Sequence, residues 1–186
     1  IDESFDSEIP ATWTTSSEQD ANPWYWVDGL GFETLDGSGY VMVDPDGAGA
    51  ANNLVENLET PGFDASAGNI VIVQFDQYYG PYWQGLDSGT VQVWDGAVWN
   101  NAYVAVSTIG AWGNPVSTTV IISDFVNPSG DTKVRFHYDD GNTWAFYWAI
   151  DNVVISSVDC LEPQQLVINQ LSATDYELSW ESGSGT

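Results

Sequence analysis

The chain has 186 residues, of which 43% are hydrophobic, and it carries 27 Asp and Glu against two Lys and Arg, for a formal net charge of −25 at pH 7. This apolar content predicts a folded chain with one main domain, and the negative charge disfavours nucleic acid and anionic membrane surfaces as partners. No segment is long and apolar enough for membrane insertion, and the single Cys160 excludes a disulfide framework within these residues as well as a cysteine-rich zinc site.

Seven stretches alternate apolar and polar residues with the period of two that is typical of β-strands. They cover residues 39–44, 69–76, 89–95, 102–108, 117–125, 132–139 and 146–158. Asp-Gly dipeptides, which supply the positive φ that tight hairpin turns need, stand at 28–29, 36–37, 46–47, 95–96 and 140–141. The clearest hairpin is predicted at 91–99, and another at the turn 139–142.

The best helix candidate, residues 49–59, is short and is followed by Thr-Pro-Gly. Many short strands with almost no helix predict an all-β protein, namely an antiparallel β-sandwich of the jelly-roll type, with a closed barrel as the alternative.

A domain boundary is predicted near Asp159. Residues 1–159 are expected to form the main domain, and residues 160–186 a linker and the truncated start of a fibronectin type III-like or other immunoglobulin-like domain. Leu178 and Trp180 are the expected inward residues of this fragment. Because such a domain needs about 100 residues, we expect the sequence to be a piece of a longer protein, and any partner of Cys160 to lie outside it.

Four motifs in the main domain follow one another in the order and spacing of a known family. They are ESFDSEIPATW at 3–13, EQDANPWYW at 18–26, KVRFHYDDGNTW at 133–144 and FYWAIDNVVI at 146–155. Together they resemble the MAM-like jelly-roll modules called cleaved adhesin or choice-of-anchor J domains, which are found in secreted bacterial proteins. The resemblance covers about residues 1–159. Asp6 stands where Glu is commoner in the family, and the acidic loop is shorter.

The resemblance implies a calcium or sodium ion where the first and last strands of the domain lie side by side. Glu3 and Asp6 are then expected to meet Asp151, and Asp20 and Asn22 are expected to complete the shell of about six to eight oxygens that Ca²⁺ takes. The alternative interpretation is that these acids are solvated groups of a very acidic protein.

A second acidic segment, 44–55, begins like an EF-hand loop but has Val55 where that loop needs Glu. We therefore reject an EF-hand and keep Asp44 and Asp46 only as candidates for a second calcium site.

Four aromatic residues crowd the Gly-Pro loop of the segment 75–87. They are Tyr78, Tyr79, Tyr82 and Trp83. Ligand sites combine apolar walls with a few placed polar groups, so we interpret this segment as a platform for sugar rings, with packing in the core as the alternative. The segments 22–26 and 110–115 show weaker versions of the same pattern.

The basic residues share one strand. Lys133, Arg135 and His137 alternate and therefore lie on one face, where pairing with acids of a neighbouring strand is the expected role. A catalytic role for His137 is disfavoured because no motif such as G-x-S-x-G places a nucleophile, and one histidine excludes a two-histidine zinc site. No pattern marks the pair of carboxylates that a glycosidase needs.

Residues and resemblance together favour a non-catalytic extracellular adhesion or glycan-binding module, stabilised by Ca²⁺, within a larger secreted or cell-surface bacterial protein. Its expected partner is a glycan or another extracellular protein. One alternative is a structural subunit that self-associates into an extracellular filament or surface array. Another is an accessory domain of a secreted hydrolase.

Overall fold

The computed structural model describes residues 1–20, 22–30, 34–66, 70–82, 86–127 and 130–157, and the backbone alone of residues 158, 164–170 and 176–181. The strands are β1 Asp2–Glu3, β2 Thr14–Ser17, β3 Tyr25–Val27, β4 Tyr40–Val43, β5 Val55–Glu59, β6 Phe63–Asp64, β7 Ile70–Gly80, β8 Ser88–Trp94, β9 Trp99–Ala105, β10 Val116–Ile121, β11 Asp131–Asp139, β12 Tyr147–Val158, β13 Gln164–Gln170 and β14 Tyr176–Glu181. A short helix, α1, spans Pro45–Ala48, and a 3-10 turn spans Ser123–Phe125.

Two antiparallel sheets enclose one core. The first sheet has the order β10-β7-β12-β4-β3, with β1 also paired to β12, and the second has the order β2-β5-β11-β8-β9, with β6 beside β11. β13 and β14 pair with each other in a separate two-stranded antiparallel sheet. The prediction of an antiparallel β-sandwich is confirmed. Among the described residues, no helix has the length and apolar character needed to cross a membrane.

The core lies between the sheets because each strand turns alternate residues inward. In β7 the inward residues Val71, Val73 and Phe75 are buried, whereas the residues between them are more exposed. Trp148 of β12 is fully buried, and its ring centroid lies 5.8 Å from that of Phe136 on the opposite sheet. Aromatic contacts between the sheets therefore hold the two layers together.

The hairpin predicted at 91–99 is present between β8 and β9. Trp94 pairs with Trp99, the Asp95 N–H donates to the Val98 carbonyl at 3.2 Å, and Gly96 takes a φ of +98°. The Asp-Gly pair at 46–47 behaves differently, because it lies inside α1.

The segment 49–59, the best but unconvincing helix candidate, is not a helix: its second half is β5, whose residues 55–58 are all buried and which pairs with β2 and β11. One expectation about local structure is wrong. The turn 139–142 does not close a hairpin, because β11 lies in the second sheet and β12 in the first, and residues 140–146 cross between them.

Candidate functional site

The first and last strands of the sandwich, β1 and β12, lie side by side, as the sequence predicted. Glu3 of β1 pairs with Val153 of β12, and the backbones of Ile1 and Ile155 exchange hydrogen bonds of 3.0 and 2.9 Å. Because β7 occupies the other edge of β12, β1 and β4 share the remaining edge. The segment 1–6 is thereby brought to the edge of β12 near residue 151.

A β-bulge in β12 places Asp151 in a group of carboxylates. The register shifts between residues 151 and 154, and Asn152 takes a φ of +51°, a conformation that Asn tolerates better than most residues. Asp151 lies opposite Asp76 of β7 and is fully buried. The Asn152 N–H donates to Asp151 at 2.7 Å, and its side-chain amide donates to Asp76 at 3.0 Å. One asparagine therefore ties the two carboxylates together.

The turn at residues 36–39 adds a third carboxylate to this group. The Ser38 hydroxyl donates to Asp36 and lies 3.2 Å from Oδ2 of Asp151. Gly39 lets the turn cross the N-terminal segment closely, since a Cβ atom there would lie 2.9 Å from the Asp6 carbonyl oxygen. Carboxylates, a hydroxyl and a backbone carbonyl therefore lie close together around the buried Asp151.

The electrostatics of this region disfavour the ionised form of Asp151. Burial raises the pKa of Asp151 to about 7, and the charges of Asp36 and Asp6 also raise it. Asp36 stays ionised, because the hydrogen bond from Ser38 lowers the pKa of Asp36. The chain's two basic side chains both lie on β11 of the second sheet. A cation bound here would offset the cost of the buried charge.

Two of the predicted cation ligands, Asp6 and Asp151, belong to this group. Glu3 is used differently: its Oε1 accepts a hydrogen bond of 2.8 Å from the Phe5 N–H, and its strand partner Val153 faces the core. Asp36, which belongs to the group, was missed.

Asp20 and Asn22 contact β5 and the loop before it instead of Asp151. The Asp20 carboxylate accepts from the Asn53 N–H at 3.0 Å, and the Asn22 N–H donates to Oε1 of Glu56 at 3.1 Å. Glu56 is fully buried, and burial raises its pKa. Glu56 is thus a second buried carboxylate that the sequence did not mark.

The register of the strand pairs shows that the surroundings of Glu56 are separate from those of Asp151. The side-chain amide of Asn22 donates to the carbonyl of Asp44 at 3.1 Å. Asp44 follows the Val43 end of β4, whereas Asp151 lies just beyond the Val41–Ile150 pair near the other end, so about 10 to 13 Å of strand lies between them. Asp20 and Asn22 therefore do not complete a shell around Asp151, and the prediction of one five-residue site is corrected.

The oxygens around Asp151 suit Ca²⁺ in kind, since that ion takes carboxylate, hydroxyl and carbonyl oxygens. Within the described ranges, however, no three His, Cys, Asp or Glu side chains are grouped so as to hold a metal ion. A site here would depend on Asp36 and Asp151, the Ser38 hydroxyl and backbone carbonyls. At the other candidate site, Asp44 caps α1 by accepting from the Gly47 N–H at 2.9 Å, and its role as a cation ligand stays a prediction.

A continuous row of aromatic rings follows the outer face of the first sheet and its adjoining loops. We call it the aromatic strip, and in order of contact it consists of Tyr82, Phe146, Tyr147, Tyr78, Trp112 and Tyr40. Successive ring centroids lie between 4.9 and 6.1 Å apart. Tyr82 is 49% and Phe146 40% exposed, whereas Tyr40 is buried, so the strip opens to solvent at its loop end.

The aromatic strip adjoins the carboxylate group on the same two strands. On β7, Tyr78 lies two residues from Asp76, which corresponds to about 7 Å along one face. On β12, Tyr147 precedes Asp151 by four residues on the same face, with the fully buried Ala149 between them. Ring faces and hydrogen-bond acceptors thus follow one another along the outer face of the first sheet, where Tyr78, Trp112 and Tyr147 also pack against a small buried cluster that includes Tyr40 and Ala149.

The structure exposes some of the residues of the predicted platform and buries others. Tyr82 is exposed, and Tyr78 is half-buried within the aromatic strip, where its hydroxyl lies 3.0 Å from that of Tyr147. Tyr79 is a core residue: it is fully buried, and its hydroxyl donates to Asp87 at 3.0 Å. Adjacent residues of a strand face opposite sides, so Tyr78 and Tyr79 cannot both be ligands. Trp83 lies outside the described residues.

The basic residues lie on the outer face of the second sheet. Arg135 is paired with Glu18 at 3.8 Å and lies opposite Glu59 of the neighbouring strand β5, as predicted for this residue, whereas the pairing of Lys133 with an acid stays a prediction. His137 Nδ1 lies 2.8 Å from the side-chain oxygen of Asn57, and burial lowers the pKa of His137. His137 is thus a partly buried, hydrogen-bonded group of the sheet.

Comparison with known proteins identifies the fold. No protein-family model and no curated protein matches the chain. Among solved structures, the K1 cleaved adhesin domain of Lys-gingipain from Porphyromonas gingivalis superposes with a TM-score of 0.64 at 20% identity, over 85% of this chain and 98% of that domain. The K3 cleaved adhesin domain of the same protein gives 0.60 at 17% identity, over 85% and 98%.

A carbohydrate-binding module, TmCBM61, solved in complex with β-1,4-galactotriose, gives a TM-score of 0.52 at 13% identity, over 80% of this chain and 90% of that one. At these identities the similarity establishes the fold. The chain has the jelly-roll sandwich of the cleaved adhesin domains, as the sequence motifs predicted.

Proposed function

We propose that this chain is a non-catalytic, extracellular glycan-binding module of a larger secreted or cell-surface protein, and that the aromatic strip is its binding surface. The observation that carries the proposal is the exposed end of the strip. Tyr82 and Phe146 present ring area to solvent, with centroids 5.5 Å apart, and are continuous with the rings behind them. Adjacent exposed aromatic rings with polar groups nearby are typical of ligand-binding sites, which supports this role.

The polar groups around the strip suit a polyhydroxylated ligand. The Tyr78 and Tyr147 hydroxyls lie between the rings, and the Asp76 carboxylate follows on the same face. Hydroxyl groups of a sugar donate well to carboxylate oxygens, and such bonds to a charged acceptor are worth about 1.5–3 kcal/mol. Stacking and acceptor groups together are the combination that sugar recognition needs.

The solved neighbours support the same class of function. Two are adhesin domains of Lys-gingipain, and one was solved in complex with a galactose trisaccharide. The environment of His137 supports a non-catalytic role, because its nearest partner is the amide of Asn57 rather than a nucleophile or an orienting acid. Assembly into a filament and attachment to a hydrolase stay predictions.

We also propose that Ca²⁺ stabilises the module by binding at Asp36 and Asp151. The support is physical: a fully buried carboxylate lies among other carboxylates, and the Ser38 hydroxyl bridges two of them. A divalent cation would neutralise this charge and fix the turn 36–39 against β12.

The glycan proposal is tested by screening the protein on a glycan array and then measuring affinity for the best binder by calorimetry. Phe146→Ala and Tyr82→Ala should each weaken binding by roughly fivefold to tenfold, because truncating an aromatic contact residue typically costs about 1–1.4 kcal/mol or more. Ile121→Ala is the matched control, since it also removes an exposed apolar side chain, 64% exposed, but on the edge strand β10. Unchanged affinity in both strip variants would refute the aromatic strip as the site.

A further inference from the structure

The outer face of the second sheet carries a set of residues that the aromatic strip does not use. We call it the tryptophan face, and it consists of Trp94, Trp99, Gln92, Asn101, Lys133 and Arg135 on the adjacent strands β8, β9 and β11. Their neighbours along β8 and β11, Val93 and Val134, are fully buried in the core. The alternation of the strands therefore turns all six toward the outside.

The two tryptophans form one wall of a cleft. Their ring centroids lie 5.6 Å apart at an interplanar angle of 52°. Together with Glu59 and Lys133 they line a shallow surface cleft of about 220 Å³. Enclosed small-molecule pockets measure about 300–1,000 Å³, so this cleft suits one unit of a longer ligand that lies across the sheet rather than a whole enclosed molecule.

A chain of hydrogen bonds fixes the polar groups beside the cleft. The Arg135 Nε–H donates to the Gln92 side chain, and the Gln92 amide donates to the Asn101 oxygen at 2.8 Å. The Arg135 guanidinium also lies 4.4 Å from the centre of the Trp99 ring. These hydrogen bonds orient the side chains before any ligand binds. The Arg135 guanidinium and the amides of Gln92 and Asn101 have more N–H donors than these bonds use, so donors remain for a ligand.

The charge of the face indicates what it can bind. Arg135 is balanced by Glu18 at 3.8 Å and lies opposite Glu59, which also lines the cleft beside Lys133. The face is therefore close to neutral, whereas the chain as a whole carries a formal charge of −25. The surrounding field repels anionic polymers, and the two basic side chains disfavour a cationic group in the cleft.

We infer that the tryptophan face is a second carbohydrate site, separate from the aromatic strip, and that it takes an uncharged polysaccharide chain. One sugar ring packs against the indoles of Trp94 and Trp99. The hydroxyls of the next unit bond to Arg135, Gln92 and Asn101, whose planar donor and acceptor groups match pairs of neighbouring hydroxyls. The two sites lie on opposite outer faces of the sandwich, so one module can contact two chains.

The test is affinity electrophoresis and calorimetry with four soluble uncharged polysaccharides, galactan, mannan, xylan and β-glucan, and with polygalacturonate as the charged comparison. At least one uncharged polymer should bind the wild type. Trp99→Ala should weaken that binding roughly 10- to 30-fold, which corresponds to loss of a central aromatic contact.

Gln92→Ala should weaken the same binding about tenfold. This second variant matters because Trp99 pairs with Trp94 across the hairpin and its truncation could unfold β8 and β9. Gln92→Ala leaves both indoles in place and removes only the hydrogen bonds to Arg135 and Asn101, so it should lower the melting temperature less than Trp99→Ala does. Ile121→Ala is the control on the other sheet.

The strip variant Phe146→Ala separates this inference from the proposed function. If binding is lost in Gln92→Ala but retained in Phe146→Ala, the tryptophan face is a site on its own. If it is lost only in Phe146→Ala, the inference is overturned and the aromatic strip stands. Binding of polygalacturonate alone, or of no uncharged polymer at millimolar concentration, would also overturn the inference.

Discussion

Replacing Asp151 with Asn should stabilise the metal-free protein at pH 8. Asp151 is fully buried, and its pKa is raised to about 7 from an ordinary value of 3.8. The folded state therefore holds the Asp151 proton more tightly than the unfolded chain does. Between about pH 4 and pH 7 only the folded state still binds this proton, so the free energy of unfolding should fall as the pH rises through this range. Above pH 7 the contribution of Asp151 to stability should be constant.

The magnitude follows from the two pKa values. At about 1.36 kcal/mol per pKa unit, the difference between 3.8 and about 7 corresponds to roughly 4 kcal/mol. Burial is the main cause of the shift, and the effective dielectric constant around buried groups in real proteins is well above that of a dry interior. Salt also screens the exposed Asp6 and Asp36, so we expect about half of this value, or about 2 kcal/mol. Asn keeps the shape of the side chain, and its oxygen can still accept from the Asn152 N–H.

The assay is urea unfolding of wild type and Asp151→Asn in EDTA at pH 4 and pH 8. The variant should be about 2 kcal/mol more stable at pH 8 and nearly equal at pH 4, where Asp151 of the wild type is protonated. Asp124→Asn is the charge-matched control, because Asp124 is exposed in the 3-10 turn, and its change should stay within about 0.5 kcal/mol. Equal stability of Asp151→Asn and wild type at pH 8 would refute this reasoning.

Calcium should reverse the order of the two proteins. If Ca²⁺ binds at Asp36 and Asp151, the wild type gains about 2.7 kcal/mol at a free concentration of 100 times Kd, and Asp151→Asn gains much less. Melting curves with Ca²⁺ and with EDTA measure this difference. Identical curves for the wild type in both buffers would exclude a structural ion at this place.

Three further predictions concern the scaffold. Gln77→Ala should lower the free energy of unfolding in urea by about 2–4 kcal/mol, because Gln77 is fully buried and accepts from the Trp148 indole at 3.0 Å. Gln74→Ala, on the exposed side of the same strand, should cost little, and equal costs would contradict the role of the buried hydrogen bond. Gly29→Ala should destabilise the protein more than Gly37→Ala. Both glycines have positive φ, but a Cβ atom at residue 29 would lie 1.7 Å from a backbone oxygen, whereas one at residue 37 meets nothing within 4 Å. Similar melting temperatures of the two variants would show that the backbone around residue 29 shifts to accommodate the methyl group. The melting temperature should rise with NaCl between about 0.05 and 1 M, since salt screens the repulsion of a chain with 27 acidic residues, and a flat response would mean that this repulsion is already compensated.

The strands could be predicted because each depends on a pattern of a few neighbouring residues. The alternation along residues 69–76 predicts most of β7. Applied to the remaining residues of the strand, the same alternation places Tyr79 in the core and Tyr78 on the outer face. β5 could not be predicted in this way, because residues 55–58, including Glu56, are all buried and the strand has no alternation of exposed and buried positions.

The candidate site depended on contacts between distant residues. The family resemblance predicted that Asp6 lies near Asp151, and the charge of Asp6 contributes to raising the pKa of Asp151. Ser38 and Asp151 are 113 residues apart in sequence. The position of Asp36 beside Asp151 could not be predicted, because it depends on how the turn 36–39 packs against residue 6. The tryptophan face illustrates the same limit, since Gln92 and Arg135 carry no motif and become partners only through the pairing of β8 with β11.

The pairing of β1 with β12 also sets how the module responds to mechanical load. Ile1 lies opposite Ile155, and the two strands run antiparallel, so a pull between residues 1 and 158 acts on the same end of the pair. The hydrogen bonds would then break one after another, as in a zipper, and at low force, instead of all resisting in shear. Tension would peel off β1 first and draw Asp6 away from Asp151, while the rest of the sandwich stays closed.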